Sequence, residues 1–253
     1  MLYTIQNDQL ICTISSTGAE IRSLKHKATG KEYIWQIEES VWGSSSPVLF
    51  PAIGKIKGNK ITYQGQDYLM PRHGIIRHTE DLIFKQHTDS KCSFTLHSSP
   101  ETLKQYPFRF SFSVVYELVE NELKMTYYVE NKDKVPMHFA CGGHTAYACL
   151  LNDGKQLGHY VIEFPTTKSL KARTLGSSGL LSNETREIPL VNSALSLSKT
   201  LFDRDALILA DVDFDWVRFR ESGKNKGILV KFEGFSNLAL WSKPAADFVC
   251  IEP

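Results

Sequence analysis

Strict alternation of apolar and polar residues runs through Phe108-Arg-Phe-Ser-Phe-Ser-Val114. It returns in Leu123-Lys-Met-Thr-Tyr-Tyr-Val129, after the polar break Glu120-Asn-Glu122. A period of two sends successive side chains to opposite faces of a strand, so these runs predict an antiparallel hairpin. Ile61-Thr-Tyr63 and Tyr68-Leu-Met70 flank Gln64-Gly-Gln-Asp67 and predict a second hairpin. Leu10–Ile14, Lys31–Trp35, Leu82–Phe84, Cys92–Leu96, Ile228–Phe232 and Leu238–Trp241 continue the strand pattern. Helical signals are few. Ser99 to Pro107 predicts one or two turns, opened by Pro100 and closed by Pro107. Thr166 to Ser198 is richer in Ser, Thr, Gly and Leu and reads as long loops across a sheet. Many short strands with turn signals between them predict an all-β fold, a sandwich or barrel. A length of 253 residues suits one such domain, residues 1–253.

Charge narrows the partners. Lys and Arg number 29 against 28 Asp and Glu, a net charge of +1 that gives no electrostatic case for nucleic acid or an anionic membrane. No apolar run reaches the roughly 18 residues of a membrane helix. The N-terminus, Met1-Leu-Tyr-Thr-Ile-Gln-Asn-Asp8, lacks the basic and apolar regions of a signal peptide. The five cysteines are odd in number and irregularly spaced, which predicts reduced thiols and a cytoplasmic protein. Cys141-x-x-His144-x-x-x-x-Cys149 loosely resembles a metal half-site, but no second ligand pair accompanies it. Structural zinc takes four ligands, so no metal is expected.

The candidate chemistry lies in polar residues set among apolar or glycine-rich neighbours. His144 follows Gly142-Gly143, and glycine permits the close approach that can present a side chain into a cleft. A core histidine bonded to a backbone carbonyl would look the same. His73 lies between Pro71-Arg72 and Gly74, in a turn that suits either a site or a solvated loop. Glu252 closes the strand-like run Phe248-Val-Cys-Ile-Glu252, either at a solvent edge or in a pocket where desolvation strengthens it as a base. Lys55 ends a proline-stiffened apolar segment. Asp203 and Asp205 precede an apolar run, and Trp35 and Trp241 are candidate sugar-stacking faces or core aromatics.

Taken in order, these segments resemble one family. Gly18-Ala-Glu-Ile-Arg-Ser-Leu24, Phe50-Pro-Ala-Ile-Gly-Lys55, Arg72-His-Gly-Ile-Ile-Arg77, Val129-Glu-Asn131, Gly142-Gly-His144, Asp205-Ala-Leu-Ile208, Leu240-Trp-Ser-Lys-Pro244 and Cys250-Ile-Glu-Pro253 follow the sequence order of the aldose 1-epimerases, the galactose mutarotase-like proteins. The branch found with bacterial lactose-utilisation genes is the most similar. The resemblance implies a large antiparallel β-sandwich, the galactose mutarotase-like supersandwich, and no cofactor. It implies Glu252 as general base, His144 as general acid and His73 as a histidine that hydrogen-bonds the sugar. Lys55 falls where many members carry arginine; it keeps the charge but loses the planar fork. The sugar-binding aspartate matches Asp205, with Asp203 as the alternative. Members usually run well past the Cys-Ile-Glu-Pro motif, which implies a chain shortened at its C-terminus.

The implied reaction interconverts α and β anomers of a hexose or related aldose. A carboxylate and an imidazolium on opposite sides of the hemiacetal move the protons. The expected partner is a small-molecule sugar, and the expected assembly a monomer or homodimer. Three other readings fit the same residues. One is a non-catalytic carbohydrate-binding or sensing protein on this fold. Another is a hexose-phosphate mutarotase with Lys55, Lys57, Arg72 and Arg77 on the phosphate. The third is a glycoside hydrolase pairing Glu252 with Asp205 or Asp203.

Overall fold

The computed structural model describes residues 1–149, 156–244 and 246–253. The fold is all-β and antiparallel, in two compact units, residues 1–36 with 44–143 and residues 37–43 with 144–253.

The first unit begins with the meander β1 (Leu2–Gln6), β2 (Leu10–Ser15) and β3 (Ile21–His26). After β4 (Val48–Leu49) comes the hairpin of β5 (Lys60–Tyr63) and β6 (Gln66–Leu69). Strands β7 (Ile83–Thr88), β8 (Lys91–His97), β9 (Phe110–Val119) and β10 (Glu122–Asn131) form one sheet in the order β10-β9-β8-β7. Strand β11 (Gly142–Gly143) pairs with β4. The alternation read in the sequence sets the packing. Phe110, Phe112, Val114, Tyr116 and Leu118 of β9 are buried, and they join Ile5, Leu10, Cys12 and Ile14 of the meander in one core. The helix α1 (Pro100–Leu103) is capped by Ser99, whose hydroxyl accepts from the Thr102 amide. It lies inside the stretch expected to turn.

One expected strand fails here. Lys31–Trp35 forms only isolated bridges, such as Lys25 with Glu32. The Glu32 carboxylate accepts from the Leu24 amide at 2.8 Å and the Ile34 amide at 3.0 Å. A side chain thus takes donors that a ladder would use, which is how local polar groups compete with sheet.

The second unit is a two-sheet sandwich. Strands β12 (Thr145–Ala148), β14 (Leu170–Leu175), β15 (Leu181–Ile188), β17 (Leu207–Leu209), β20 (Leu238–Trp241) and β21 (Phe248–Glu252) form a sheet ordered β12-β21-β20-β17-β14-β15. The other sheet contains β13 (Tyr160–Glu163), β16 (Ala194–Ser196), β18 (Trp216–Glu221) and β19 (Gly227–Lys231). Their facing sides share a core of Leu207, Leu209, Leu238, Leu240, Val249 and Ile251 with Ile162, Leu195, Val217 and Phe219. The loops expected between Thr166 and Ser198 are instead β14, β15 and β16. The polar sequence of β15, Leu-Ser-Asn-Glu-Thr-Arg-Glu-Ile, is mostly exposed, as befits an edge strand. Among the described residues no helix is long and apolar enough to cross a membrane.

Candidate active site

Period-2 geometry divides β21 into two faces. Val249 and Ile251 enter the core of the second unit, so Phe248, Cys250 and Glu252 point to the opposite side. Strand β12 pairs with β21 through Thr145↔Ile251 and Ala146↔Cys250. One more step in that antiparallel register sets His144 opposite Glu252. The side chains meet there: His144 Nδ1 lies 3.4 Å from Glu252 Oε1, and each side chain is only 10% exposed. Neither group comes from a flexible loop. Glu252 ends the inner strand β21 and His144 immediately precedes the edge strand β12, so the ladder between the two strands sets both side chains.

Aromatic rings wall this pair. Trp42 stacks on the His144 ring with centroids 5.2 Å apart and planes inclined by 27°. Trp241 meets the same imidazole edge-on at 5.7 Å, and Phe248 stacks on Trp42 at 5.3 Å. One stacked and one edge-on ring restrain the imidazole's orientation, and its burial limits water, which strengthens its electrostatic interactions. Cys250 is fully buried. Ligand atoms of His144, Cys250 and Glu252 all lie within 4.8 Å of one another, so His144 is grouped with Cys250 and not with Cys141 or Cys149.

The same sheet face runs on across the strands. Ala239 is opposite Glu252, Ile208 opposite Ala239, and Arg173 opposite Ile208. Ala239 and Ile208 are half-buried. They make a low apolar floor beside the carboxylate, while Arg173 donates to the Ser182 carbonyl at 3.0 Å. Asp205 lies two residues before β17 with φ of 69° and bonds the Ala206 amide through its own carboxylate. Leu207 pairs with Leu240, so Asp205 lies toward the Trp241 end of the sheet. Asp203 is exposed in the same turn.

His73, Lys55 and Arg72 belong to the first unit. His73 is buried at φ of 69°, beside Gly74, whose added Cβ would lie 2.1 Å from the Phe50 carbonyl oxygen. The His73 amide donates to the Gly54 carbonyl, and the Gly54 amide donates back to His73 Nδ1 at 3.2 Å. Nδ1 is therefore an acceptor, and the neutral ring carries its proton on Nε2. Burial, and then the charges of Arg72 and Arg77, lower the His73 pKa to about 3. Lys55 and Arg72 are exposed, and Arg77 donates to the Ser44 hydroxyl at 3.0 Å. Trp35 is buried in the first unit, a core residue.

Trp42 had no signal of its own, and Cys250 had none beyond its place in the Cys250-Ile-Glu-Pro253 motif. Trp42 lies in the short segment 37–43, which joins the second unit from far away in sequence. Cys250 sits in a run of apolar residues that resembles any core strand, and only its parity with Glu252 betrays its face.

A strand-built sandwich with a buried His–Glu pair on the outer side of one sheet agrees with the family suggested by the sequence. The aldose 1-epimerase family matches residues 1–231, and the chain belongs to that family. The matched span includes His73 and His144 and stops before Glu252. Among individual proteins, the chain is similar to the chromosomal protein LacX of Lactococcus lactis subsp. lactis, at 29% identity over 262 residues, covering 100% of this chain and 87% of LacX. In structure it is similar to a galactose mutarotase related enzyme from Lactobacillus acidophilus, with a TM-score of 0.93, 32% identity, and 100% and 85% of the two chains covered. A galactose mutarotase-like protein from Lactobacillus casei gives a TM-score of 0.91 at 30% identity, covering 100% and 87%.

Proposed function

We propose that the chain is a mutarotase that interconverts the α and β anomers of a hexose or related aldose. The carrying observation is the 3.4 Å separation of His144 Nδ1 and Glu252 Oε1 in a buried, aromatic-walled setting. The two groups are neighbours, not partners across a ring. That spacing suits the reaction, because the anomeric hydroxyl and the ring oxygen of a hemiacetal share one carbon. Glu252 takes the hydroxyl proton, and His144 gives a proton to the ring oxygen as its bond to C1 breaks. The C1–C2 bond rotates, and the freed hydroxyl attacks the other carbonyl face. Its proton goes to His144, while Glu252 returns the first proton to the new anomeric oxygen. The residues end as they began, so no cofactor is consumed. Positioned acid–base groups of this kind contribute roughly 10²–10⁴-fold.

Sugar contacts follow from the remaining polar groups. The sugar-binding role that the resemblance implies for His73, in the first unit, would use the proton its neutral ring keeps on Nε2. Asp205 accepts from hydroxyls, and Trp241 presents an aromatic face to the ring's C–H bonds. The test is polarimetry on freshly dissolved α-glucose and α-galactose. Glu252→Gln should lose about 10²–10⁴-fold in catalysed rate while sugar binding persists. His144→Asn should lose a comparable factor. Near-wild-type rates in either variant would end this assignment.

Arg173 supports a second reading, a sugar phosphate as substrate. Three strand spacings separate its backbone from that of Glu252, roughly 14 Å. Its guanidinium is turned to the Ser182 carbonyl of β15, the far neighbour of β14, and would have to leave that bond to meet an anionic substituent remote from C1. A kcat/KM for glucose 6-phosphate well above that for glucose, abolished by Arg173→Gln, would favour it.

A further inference from the structure

We infer that His144, Cys250 and Glu252 form a three-ligand site for a borderline-soft divalent cation of the zinc type, which inhibits the enzyme by occupying its acid–base pair. The inhibition, though not the binding, rests on the mutarotase reading given above. The donor set is the first argument. One imidazole, one thiol and one carboxylate are the groups that zinc takes, and three protein ligands leave a fourth position for water. Spacing is the second. Bonds of about 2.0–2.3 Å in a tetrahedron put ligand atoms roughly 3.3–3.8 Å apart. The His144–Glu252 separation of 3.4 Å has that value and exceeds the roughly 2.7–2.9 Å of a tight charge-assisted hydrogen bond. All three ligand atoms lie within 4.8 Å, so rotation of the thiol about its Cα–Cβ bond closes the remainder.

Rigidity and charge complete the case. Register fixes the arrangement, since Ala146 faces Cys250 in the ladder that sets His144 beside Glu252. Nothing in the backbone has to move. The cation brings two positive charges, and the thiolate and carboxylate bring one negative charge each. With a neutral imidazole the filled site carries no net charge, which is what a buried, ring-walled position tolerates. Binding releases the thiol proton to solvent. It also takes the carboxylate lone pair that would accept the anomeric proton, together with the imidazole lone pair. The ion is therefore an inhibitor competing with sugar, and Cys250, which moves no proton in the reaction, is the residue that makes the pair vulnerable.

The experiment has a binding arm and an activity arm. Co²⁺ replaces Zn²⁺ as the optical probe. Wild type should bind one equivalent with a thiolate-to-cobalt charge-transfer absorption in the near ultraviolet, which Zn²⁺ displaces. Cys250→Ala and Cys250→Ser should both lose that absorption. In polarimetry Zn²⁺ should inhibit wild type reversibly, with EDTA restoring the rate, and Mg²⁺ should not. Each variant's inhibition is referred to its own metal-free rate, and the Zn²⁺ concentration for half inhibition should rise at least about tenfold without the thiol. Absence of the absorption in wild type, or its survival in both variants, overturns the site. Equal Zn²⁺ sensitivity with and without the thiol overturns its role in inhibition. If the wild type shows the absorption but no mutarotation, the proposed function fails and the site stands.

Discussion

His73 shows how a single side chain can carry a pH dependence into the whole protein. Its pKa in the folded state is lowered to about 3 from the ordinary 6.5. Above 6.5 the ring is neutral in folded and unfolded chains alike, and stability is unaffected. Between 6.5 and 3 the unfolded chain takes up a proton that the folded one refuses. Stability from this residue is thus complete above pH 6.5 and lost as pH falls toward 3, by on the order of a few kcal/mol. Denaturant melts at pH 7 and pH 4.5 should show a smaller difference in His73→Asn than in wild type. The same depression means that any ionisation limb of the mutarotase pH profile between pH 5 and 8 comes from a group other than His73. A limb abolished by His73→Asn would contradict that. In the sequence His73 could be framed by Pro71 and Gly74, and Arg72 and Arg77 stand close by in the chain, but its neutrality depends first on burial, which only folding supplies.

At the level of elements, one segment marked by the family resemblance is structural. Glu20, in Gly18-Ala-Glu-Ile-Arg-Ser-Leu24, is buried and accepts from the Ser46 amide at 3.0 Å and the Ser45 hydroxyl at 3.2 Å. Arg22 pairs with it at 2.9 Å. Gly18 is required beside it, since an added Cβ would lie 2.4 Å from the Arg77 carbonyl oxygen. Glu20→Ala strips several buried donors of one acceptor and should cost about 3–5 kcal/mol, read as a fall in melting temperature. Strands whose two faces differ were legible, as in β9 and β10, where one face is core and the other is not. Strand β15 was hidden because neither face is strongly apolar. Lys31–Trp35 misled for the opposite reason, since its residues alternate like a strand while Glu32 takes the backbone donors.

On the scale of the molecule, the thiols report the integrity of both units. All five cysteines are free. Cys12, Cys92 and Cys141 lie in the first unit, Cys149 and Cys250 in the second. Only Cys141 is half-exposed. Burial raises the thiol pKa of Cys92 to about 12 and also raises those of Cys12, Cys149 and Cys141. A water-soluble disulfide reagent should therefore label Cys141 first in the native protein. The buried four should react only at the rate of unfolding, with all of them released together in denaturant. Fast labelling of two or more thiols in the native state would contradict the packing. The all-β class was legible from alternation alone, because it is a property of nearest neighbours in the chain. The division into two units was not, because residues 37–43 join the second unit across more than a hundred residues of sequence.

The parity of β21 ties the proposed acid–base pair to the fidelity of folding. Val249 and Ile251 lie on the core side, and Phe248, Cys250 and Glu252 on the other. A slip of one residue against β12 and β20 would drive the carboxylate into hydrocarbon and leave an isoleucine in its place beside His144. No intermediate arrangement gives partial credit, because a pleated strand has only two sides. Under the proposed function, turnover of sugar is thus an all-or-nothing readout of registration, able to count correctly assembled molecules in a preparation whose bulk spectrum looks native throughout.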